Sequence, residues 1–222
     1  MEDILAVFTD KSDGNLAYHV GDKRHNVDKN QKALAKKHRY RFSDLRYMSQ
    51  VHGNNVVIVN HDSPRCIDDC DGLITNEKNL PLMVMVADCI PILLYDKKEG
   101  VIAALHAGRN STFLKIVQVA LDIMKKNFGC KGENIEAIMG PSIQKCCYEV
   151  NDELLNIVEK NFGKEFIEGK NIDLQGINRA ILEQNQVKNI KISKICTKCS
   201  ETEHYSYRKD PKTGRFAGVI KL

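Results

Sequence analysis

The sequence predicts an α/β fold of the mixed α+β type, organised as a single domain in which layers of mixed β-sheet are flanked by helices. Two apolar runs, residues 82–87 and 101–105, have the length of strands that are buried on both faces, and both end at turn-forming residues. Segments with helical periodicity alternate with such strands along the chain. No repeat or linker interrupts the 222 residues, so residues 1–222 are predicted to fold as one domain.

The remaining elements follow from local patterns. Apolar or β-branched runs predict strands over residues 5–9, 45–51, 54–59, 134–139 and 191–195. Amphipathic periodicity predicts helices over residues 26–38, 113–128, 152–161 and 173–185. Residues 50–55, Gln-Val-His-Gly-Asn-Asn, are predicted to form a hairpin turn. Ser111 or Thr112 is predicted to cap the helix that Gly129 closes, and residues 204–222 predict two strands joined by a turn at 210–214.

Composition narrows the class of partner and the compartment. The 33 basic and 29 acidic residues leave a formal net charge of only +4, spread along the chain, which argues against nucleic acid or an anionic membrane as the partner. No apolar run approaches the roughly 20 residues of a membrane span. Residues 1–15 lack the basic start and apolar core of a signal peptide. We therefore expect a cytoplasmic protein whose eight cysteines are free thiols or metal ligands.

Three metal-binding side chains lie at predicted strand ends. Cys89 follows the strand at 82–87, His106 follows the strand at 101–105, and His52 lies in the turn near residue 50. Two imidazoles and one thiolate form a three-ligand zinc set that leaves the fourth position open, as in catalytic zinc sites. On spacing alone, a buried core thiol with two ordinary loop histidines is the simpler interpretation, because long gaps between ligands carry no information.

A second group of cysteines permits another interpretation. Two residues separate Cys196 from Cys199, and three separate Cys66 from Cys70, so the two pairs together would make a structural Cys₄ zinc site. The pairs are far apart in the sequence and do not have the spacing of a compact zinc ribbon. Unconnected free thiols are therefore the alternative.

Two further segments carry groups that suit a phosphate and a base. Residues 108–112, Gly-Arg-Asn-Ser-Thr, open the long predicted helix, where backbone N–H groups and the guanidinium of Arg109 favour an anion. Strand alternation would place Tyr205 and Tyr207 on one face, able to stack on a base, with Arg208 on the other. Simple helix capping with a solvated arginine, and an ordinary polar hairpin, are the plainer alternatives.

Seven segments of the chain resemble those of the YfiH/YlmD family, whose members carry laccase-domain, polyphenol oxidase and purine nucleoside phosphorylase names: NLAYHVGD, SQVHGNNVV, DGLIT, ADCIPILLYD, ALHAG, MGPSIQKCCYEV and SYRKDPKTGRFAGVI. They occur in the family's order and span the chain from about Phe8 to Ile220. The resemblance implies one mixed α/β catalytic domain that binds zinc through His52, Cys89 and His106. It also implies phosphorolysis of adenosine, inosine and methylthioadenosine to the free base and (methylthio)ribose 1-phosphate, with deamination of adenosine to inosine.

Roles for individual residues follow from the metal set and the matched motifs. Asp88, Cys89 and His106 are predicted to be catalytic, with Asp88 either carrying a proton or orienting a histidine ligand. The residues predicted to bind substrate are Asn15, Gln50, Arg109, Ser111, Tyr205 and Arg208. The expected partners are a nucleoside and phosphate, and the protein is expected to be a monomer or a small homo-oligomer.

The chain departs from the family pattern close to its predicted ligands. After the matched His-Ala-Gly the family usually carries Trp-Arg-Gly-Thr, whereas this chain has Arg109-Asn110-Ser111-Thr112. An aromatic side chain is lost and the arginine moves by one position, which predicts a change in substrate preference and in phosphate binding. The loop before Asn15 is also shorter than is usual in the family, which predicts a more open rim.

Three other activities compete with this hypothesis. A copper-dependent, laccase-like polyphenol oxidase fits the older family name. However, one Cys-His₂ set cannot supply both a blue-copper centre and a trinuclear cluster, and the chain has only seven histidines. An accessible Cys89 near His106 could act instead as the nucleophile of a hydrolase that cleaves an amide in cell-wall precursors. The third alternative is a zinc-binding or partner-binding module without catalytic activity.

Overall fold

Two mixed β-sheets pack face to face, and helices cover both outer faces. A computed structural model describes residues 4–201 and 203–222 of the chain. The described residues form a single domain of four layers, in the order helix, sheet, sheet, helix. The mixed α/β fold class predicted from the sequence is therefore confirmed.

The strands and helices have the following bounds within the described residues. The strands are β1 (Leu5–Phe8), β2 (Arg46–Met48), β3 (Val56–Ile58), β4 (Cys66–Ile67), β5 (Gly72–Thr75), β6 (Leu82–Val86), β7 (Ile90–Asp96), β8 (Val101–Ala107), β9 (Ile135–Met139), β10 (Ile167–Glu168), β11 (Asn171–Ile172), β12 (Asn189–Ile192) and β13 (Phe216–Lys221). The α-helices are α1 (Arg24–Lys37), α2 (Arg109–Phe113), α3 (Ile116–Phe128), α4 (Asp152–Asn161) and α5 (Leu174–Gln184). None of these helices combines the length and the apolar character that crossing a bilayer requires.

The core between the two sheets explains the apolar runs in the sequence. Sheet one has the strand order β1-β13-β6-β2-β4, and sheet two has the order β12-β9-β7-β8-β5-β3. Alternate residues of each strand point to the same face. Leu82 and Val84 of β6 and Ile102 and Ala104 of β8 belong to the cluster between the sheets. The intervening residues of both strands are buried on the outer faces, so neither strand shows polar alternation.

The helices bury their apolar stripes against the outer faces of the sheets. Helix α1 packs Leu34 near Met83 and Met85, which lie on the outer face of β6 in sheet one. Helices α3 and α5 bury residues such as Val117 and Ile177 in the cluster on the outer face of sheet two. The apolar residues that recur with helical periodicity in the sequence therefore form the face of each helix that contacts a sheet.

The chain passes repeatedly between the sheets at one edge of the sandwich. Residues 49–55 join β2 in sheet one to β3 in sheet two, residues 68–71 join β4 to β5, and residues 87–89 join β6 to β7. Strands β2, β4 and β6 run parallel to one another, so these three connections leave sheet one at the same edge. Strand β8 ends at this edge because it is antiparallel to β5 and β7. Residues 193–215 return there from β12 to β13.

The predicted hairpin at residues 50–55 is wrong, because the strands on either side of it belong to different sheets. Strand β2 pairs with β4 and β6, whereas β3 pairs with β5. The left-handed backbone of His52, with φ of 59°, suits a sharp change of direction in either topology. Strands β6 and β8, the two apolar runs of the sequence, lie in different sheets. Strand β8 pairs with β5 and with β7, and β7 was not predicted as a separate strand.

Two other elements near this edge differ from their predictions. The predicted helix over 113–128 is divided into α2 and α3 at Lys115, whose φ of 57° interrupts the helical path. Ser111 and Thr112 lie buried inside α2, so neither is a helix cap. The predicted first strand of the C-terminal pair is absent from residues 204–210, which form a loop with a turn, and β13 alone follows.

Candidate active site

The three predicted metal ligands converge at the edge where the chain passes between the sheets. His52 lies in the β2–β3 connection, Cys89 in the β6–β7 connection, and His106 on β8, on the same face as Ala104. One ligand atom from each side chain lies within 4.8 Å of the other two. The two imidazole rings meet edge to face, with centroids 4.7 Å apart. The folded chain therefore gathers an imidazole–thiol–imidazole set that the sequence spacing alone could not establish.

Gly108 leaves room for this set. A Cβ at that position would lie 3.0 Å from Sγ of Cys89 and 3.2 Å from Cδ2 of His52. The backbone of Gly108 is extended, with φ of −73°, so it is the space and not the conformation that requires glycine. An atom-sized gap bordered by two imidazoles and a thiol is what a metal ion would occupy, and the three side chains could hold one.

Asp71, which was not among the residues predicted from the sequence, orients the histidines. Its carboxylate lies 2.7 Å from Nδ1 of His106 and accepts hydrogen bonds from the backbone N–H groups of Val51, His52 and Gly53 at 3.2, 3.0 and 2.7 Å. Burial raises the pKa of Asp71, but these hydrogen bonds and His106 outweigh burial and lower it. Because the carboxylate contacts Nδ1 of His106, it leaves Nε2 as the nitrogen that could bind a metal ion, and it also fixes the loop that carries His52.

The thiol and the imidazole shift each other's protonation. Burial raises the pKa of Cys89, but the charge and hydrogen bonds of His106, followed by those of His52, lower it overall. Burial lowers the pKa of His106, and the Cys89 thiolate together with Asp71 raises it overall. Each shift favours the charged form because the partner carries the opposite charge. The thiolate is the form in which cysteine binds metals, and a bound ion would take the place of the proton on His106.

Asp88 is held rigidly beside the ligands but forms a hydrogen bond with neither histidine. Its carboxylate accepts a hydrogen bond from Oγ1 of Thr197 at 2.6 Å and another from the backbone N–H of Arg208 at 2.7 Å. Its backbone carbonyl accepts from the N–H of Ile143 at 2.9 Å. The backbone φ of 88° is unusual for a residue other than glycine, and these contacts maintain it. The hydrogen-bond partners of the Asp88 carboxylate include no histidine, and Asp71 is the carboxylate that contacts His106.

A cavity of about 560 Å³ opens onto the three ligands. That volume is typical of a small-molecule pocket. Its cationic and aromatic lining comes from His19, Arg109, Arg208, Arg215, Tyr148 and Tyr207. The guanidinium of Arg208 lies 5.1 Å from the ring centre of Tyr148 and donates to the carbonyl of Glu149. Positive charge and aromatic faces therefore surround the metal-ligand set.

The residues predicted to bind substrate are divided between the cavity and its support. Gln50, Arg109 and Arg208 line the cavity. Gln50 also bonds through its amide to both backbone groups of Met85, at 2.8 and 3.0 Å, and so continues the edge of β6. Asn15 lies behind the wall, where its Oδ1 accepts from the backbone N–H of Arg215 at 2.9 Å.

Ser111 and Tyr205 do not line the cavity. Ser111 is fully buried in α2. Tyr205 packs behind Gly214, whose added Cβ would lie 3.0 Å from the tyrosine ring. The predicted pairing of the two tyrosines on one strand face is wrong, because the segment is a loop. Tyr207 alone reaches the cavity, where it is about half exposed.

Several lining and supporting residues were not identified from the sequence. Each of three lies within a matched segment: Asp71 in DGLIT, Tyr148 in CCYEV and Arg215 in TGRFAGVI. Membership of a matched segment could therefore have indicated a functional role for them. His19 likewise lies in the matched segment NLAYHVGD, whereas Thr197 lies in none of the matched segments. Asn110, one of the departures from the family pattern, donates to the carbonyl of His52 at 2.6 Å and holds the ligand loop against α2.

The comparisons with known proteins agree with the fold and extend over the site. A protein-family model described as multi-copper polyphenol oxidoreductase laccase matches residues 8–222. A purine nucleoside phosphorylase of Clostridium acetobutylicum is 36% identical over 189 residues, covering 82% of this chain and 79% of its own length. A purine nucleoside phosphorylase of Streptomyces coelicolor is 35% identical over 215 residues, covering 94% of this chain and 87% of its own.

Solved structures show the same architecture. The crystal structure of the Bacillus licheniformis hypothetical protein YfiH matches with a TM-score of 0.94 at 28% identity, over 99% of this chain and 92% of that one. YlmD from Geobacillus stearothermophilus matches with a TM-score of 0.92 at 27% identity, over 98% and 91% of the two chains. The chain therefore belongs to the multi-copper polyphenol oxidoreductase laccase family, the family of YfiH and YlmD.

Proposed function

We propose that this chain is a zinc-dependent purine nucleoside phosphorylase that cleaves a nucleoside with phosphate. The observation that carries the proposal is that one cavity of about 560 Å³ is lined both by the His52, Cys89 and His106 set and by arginine side chains. The relatives named purine nucleoside phosphorylase, which are 36% and 35% identical to this chain, support the same reaction.

The donor set and its surroundings fit zinc. Two imidazole nitrogens and one thiolate match a catalytic zinc site with an open position, and the space beside Gly108 would accommodate the ion. When bound, zinc would supply Lewis acidity at the end of the cavity where Cys89 and His106 lie. Asp71 fixes the direction of His106 through the 2.7 Å contact with Nδ1. This carboxylate–histidine arrangement is the usual support of a metal-ligating imidazole.

The phosphate would bind to the cationic wall. Arg109 of α2 lines the cavity together with Arg208 and Arg215 of the connection between β12 and β13. Guanidinium groups bind phosphate oxygens through paired, charge-assisted hydrogen bonds. Nη1 of Arg215 donates to the carbonyls of Thr213 and Gly214 at 2.8 and 3.1 Å, which holds that side chain in place.

The purine base, which is the leaving group, would lie next to Asp88 and the aromatic side chains of the cavity. In phosphorolysis, a phosphate oxygen bonds to the anomeric carbon of the ribose, the glycosidic C–N bond breaks, and its electron pair leaves with the purine, which takes up a proton. Asp88 is held by Thr197 and Arg208 on the cavity wall, and we assign it to hold or transfer that proton. Tyr148 and Tyr207 offer ring faces for stacking on the purine.

The narrower activities belong to the same proposal. We include adenosine, inosine and methylthioadenosine as substrates, because stacking and a cationic wall do not select among purines. Deamination of adenosine to inosine would use the same cavity: a water oxygen would bond to C6 of the purine, the C6–N bond would break to release ammonia, and Asp88 would again carry the proton. The loss of the family's usual tryptophan at Arg109 leaves Tyr148 and Tyr207 as the aromatic groups of the lining.

The test is base release from adenosine with and without phosphate. Purified, zinc-loaded protein is expected to release adenine only with phosphate present, and to form some inosine in either case. Cys89→Ser should lose metal and base release together, whereas Cys66→Ser, a half-buried thiol outside the cavity, should keep both. Absence of base release from metal-loaded protein would refute the phosphorylase, and activity that survives loss of the metal would refute its zinc dependence.

The description of the family model makes a copper polyphenol oxidase the second candidate. Among the described residues, the groups of three or more potential ligands are one Cys-His₂ set and one set of four cysteines. Neither provides the several histidines of a trinuclear copper cluster. Dioxygen uptake with a phenol and added copper would favour the oxidase, and a covalent adduct on Cys89 in metal-free protein would favour the thiol hydrolase.

A further inference from the structure

Four cysteines converge at a second place, next to the cavity but outside it. Cys146 and Cys147 lie in the connection between β9 and α4, and Cys196 and Cys199 lie in the connection between β12 and β13. The four sulfur atoms all lie within 4.8 Å of one another. The predicted partnership of Cys196 and Cys199 with Cys66 and Cys70 is therefore wrong. Their partners are instead the adjacent cysteines at residues 146 and 147. No spacing rule predicts that this pair lies close to Cys196 and Cys199.

The sulfur positions match those of a tetrahedral thiolate site. At a zinc–sulfur distance of about 2.3 Å, tetrahedral geometry separates the sulfur atoms by about 3.8 Å. Sγ of Cys146 lies 3.8 Å from Sγ of Cys147 and 3.6 Å from Sγ of Cys199. A metal ion could therefore be accommodated with small side-chain adjustments, whereas a disulfide would require one pair to approach to about 2.05 Å.

The donor set also has the chemistry of a closed structural site. Cys196-Thr-Lys-Cys199 has the two-residue spacing that recurs in structural zinc sites. Four thiolates satisfy a tetrahedral ion completely and leave no open position for substrate. The backbone N–H of Gln144 lies 3.5 Å from Sγ of Cys196, where it would offset thiolate charge.

The cluster joins the two segments that hold Asp88. Thr197 lies between Cys196 and Cys199 and donates to the Asp88 carboxylate at 2.6 Å. Ile143, three residues before Cys146, donates its N–H to the Asp88 carbonyl at 2.9 Å. Ser142 and Cys196 are connected by a parallel β-bridge, so the two segments already run side by side.

We propose that Cys146, Cys147, Cys196 and Cys199 bind one Zn²⁺ as four thiolates, forming a second, structural metal site that clamps these two segments beside the cavity. Each thiol releases its proton to solvent when the ion binds. The ion takes no part in the reaction and instead maintains the wall that carries Asp88 and Tyr148.

The first test is the zinc content of reduced protein. The wild type is expected to hold about two zinc ions per chain, one in each cluster. Cys146→Ser/Cys199→Ser should lose one equivalent, Cys89→Ser should lose the other, and Cys66→Ser should keep both. Retention of the wild-type zinc content by Cys146→Ser/Cys199→Ser would overturn the proposal. The metal count needs no substrate, so its outcome is independent of the phosphorylase activity.

The second test uses cobalt in Cys89→Ser, which leaves the four-cysteine cluster intact. Its thiolate-to-cobalt absorption per bound ion should be about four times that of a site with a single thiolate, with the visible bands of a tetrahedral ion. Cys146 and Cys199 are both exposed, so their serine variants are expected to fold, and circular dichroism checks this. Weak octahedral spectra, or a Cys146–Cys199 disulfide in protein purified with reductant and zinc, would refute the site.

Discussion

Replacing Asp71 by asparagine tests whether a buried carboxylate organises the metal site. The Asp71 side chain is fully buried and has four donors around it: Nδ1 of His106 and the backbone N–H groups of Val51, His52 and Gly53. An asparagine of the same shape keeps one acceptor oxygen and replaces the other with an N–H₂ donor. Because every neighbour is a donor, the new amide group must face at least one of them without forming a hydrogen bond.

Two losses follow from this geometry. A hydrogen bond to a charged group contributes roughly 1.5–3 kcal/mol, so the free energy of unfolding of the metal-free protein should fall by about that amount. Removing the carboxylate behind a metal-ligating histidine typically weakens metal binding by about 10–100-fold. That loss of affinity corresponds to about 1.4–2.7 kcal/mol.

Competition with a chromophoric chelator measures the zinc affinity, and urea unfolding of metal-free protein measures the stability. The matched control is Asp68→Asn, which removes the same charge from an exposed position in the same connection. The control should behave as the wild type in both assays. If Asp71→Asn bound zinc within about twofold of the control, Asp71 would not be the residue that orients His106, and the assignment would fail.

Three further changes probe the surroundings of the site. Gly108→Ala should weaken zinc binding by at least about tenfold, because its Cβ would lie 3.0 Å from Sγ of Cys89. Gly53→Ala, whose Cβ would have its nearest contact at 3.5 Å, should not weaken zinc binding. Competition with a chelator measures the zinc affinity of both variants. Thr197→Val removes the 2.6 Å hydrogen bond to Asp88 and should lower kcat/KM for adenosine phosphorolysis by about tenfold or more with zinc content unchanged. Thr197→Ser should restore it, and unchanged kcat/KM in the valine variant would remove Asp88 from the mechanism. Burial lowers the pKa of His204, which packs on Phe216, so the stability that depends on its neutral form is present above the unfolded-state pKa of about 6.5 and is lost as the pH falls below it. Between about pH 8 and about pH 5.5, the Tm of His204→Gln should therefore fall by less than the Tm of the wild type. The Tm of His25→Gln, a substitution at an exposed position, should fall by as much as that of the wild type.

The sequence predicted the elements around the site better than their arrangement. The apolar runs that became β6 and β8 and the helices α4 and α5 were identified correctly, because burial and helical periodicity are local properties of the chain. The hairpin at residues 50–55 was wrong because its turn residues permit a passage between sheets as readily as a hairpin. Sheet membership depends on which distant strand is available for pairing, and no local pattern contains that information.

The candidate site shows the same division. The spacing of His52, Cys89 and His106 could not distinguish metal ligands from an ordinary thiol and two loop histidines. Their convergence within 4.8 Å supports the metal-ligand interpretation. Asp71 lies in the matched segment DGLIT, but that segment does not indicate which histidine the carboxylate will contact 35 residues away.

By itself, the sequence determined which segments are buried strands, which are amphipathic helices, and which metal-binding side chains stand at the ends of the apolar runs. These follow from side-chain hydrophobicity and residue chemistry, which act over one or two turns of chain. Only the tertiary structure decided that three connections between two sheets meet at one edge, that Asp71 supports His106, and that Cys196 and Cys199 meet Cys146 and Cys147. Those contacts depend on the packing of the two sheets and on which strands pair within sheet two, β5 with β8 and β9 with β12. The pairing and packing bring together cysteines that lie as many as 53 residues apart.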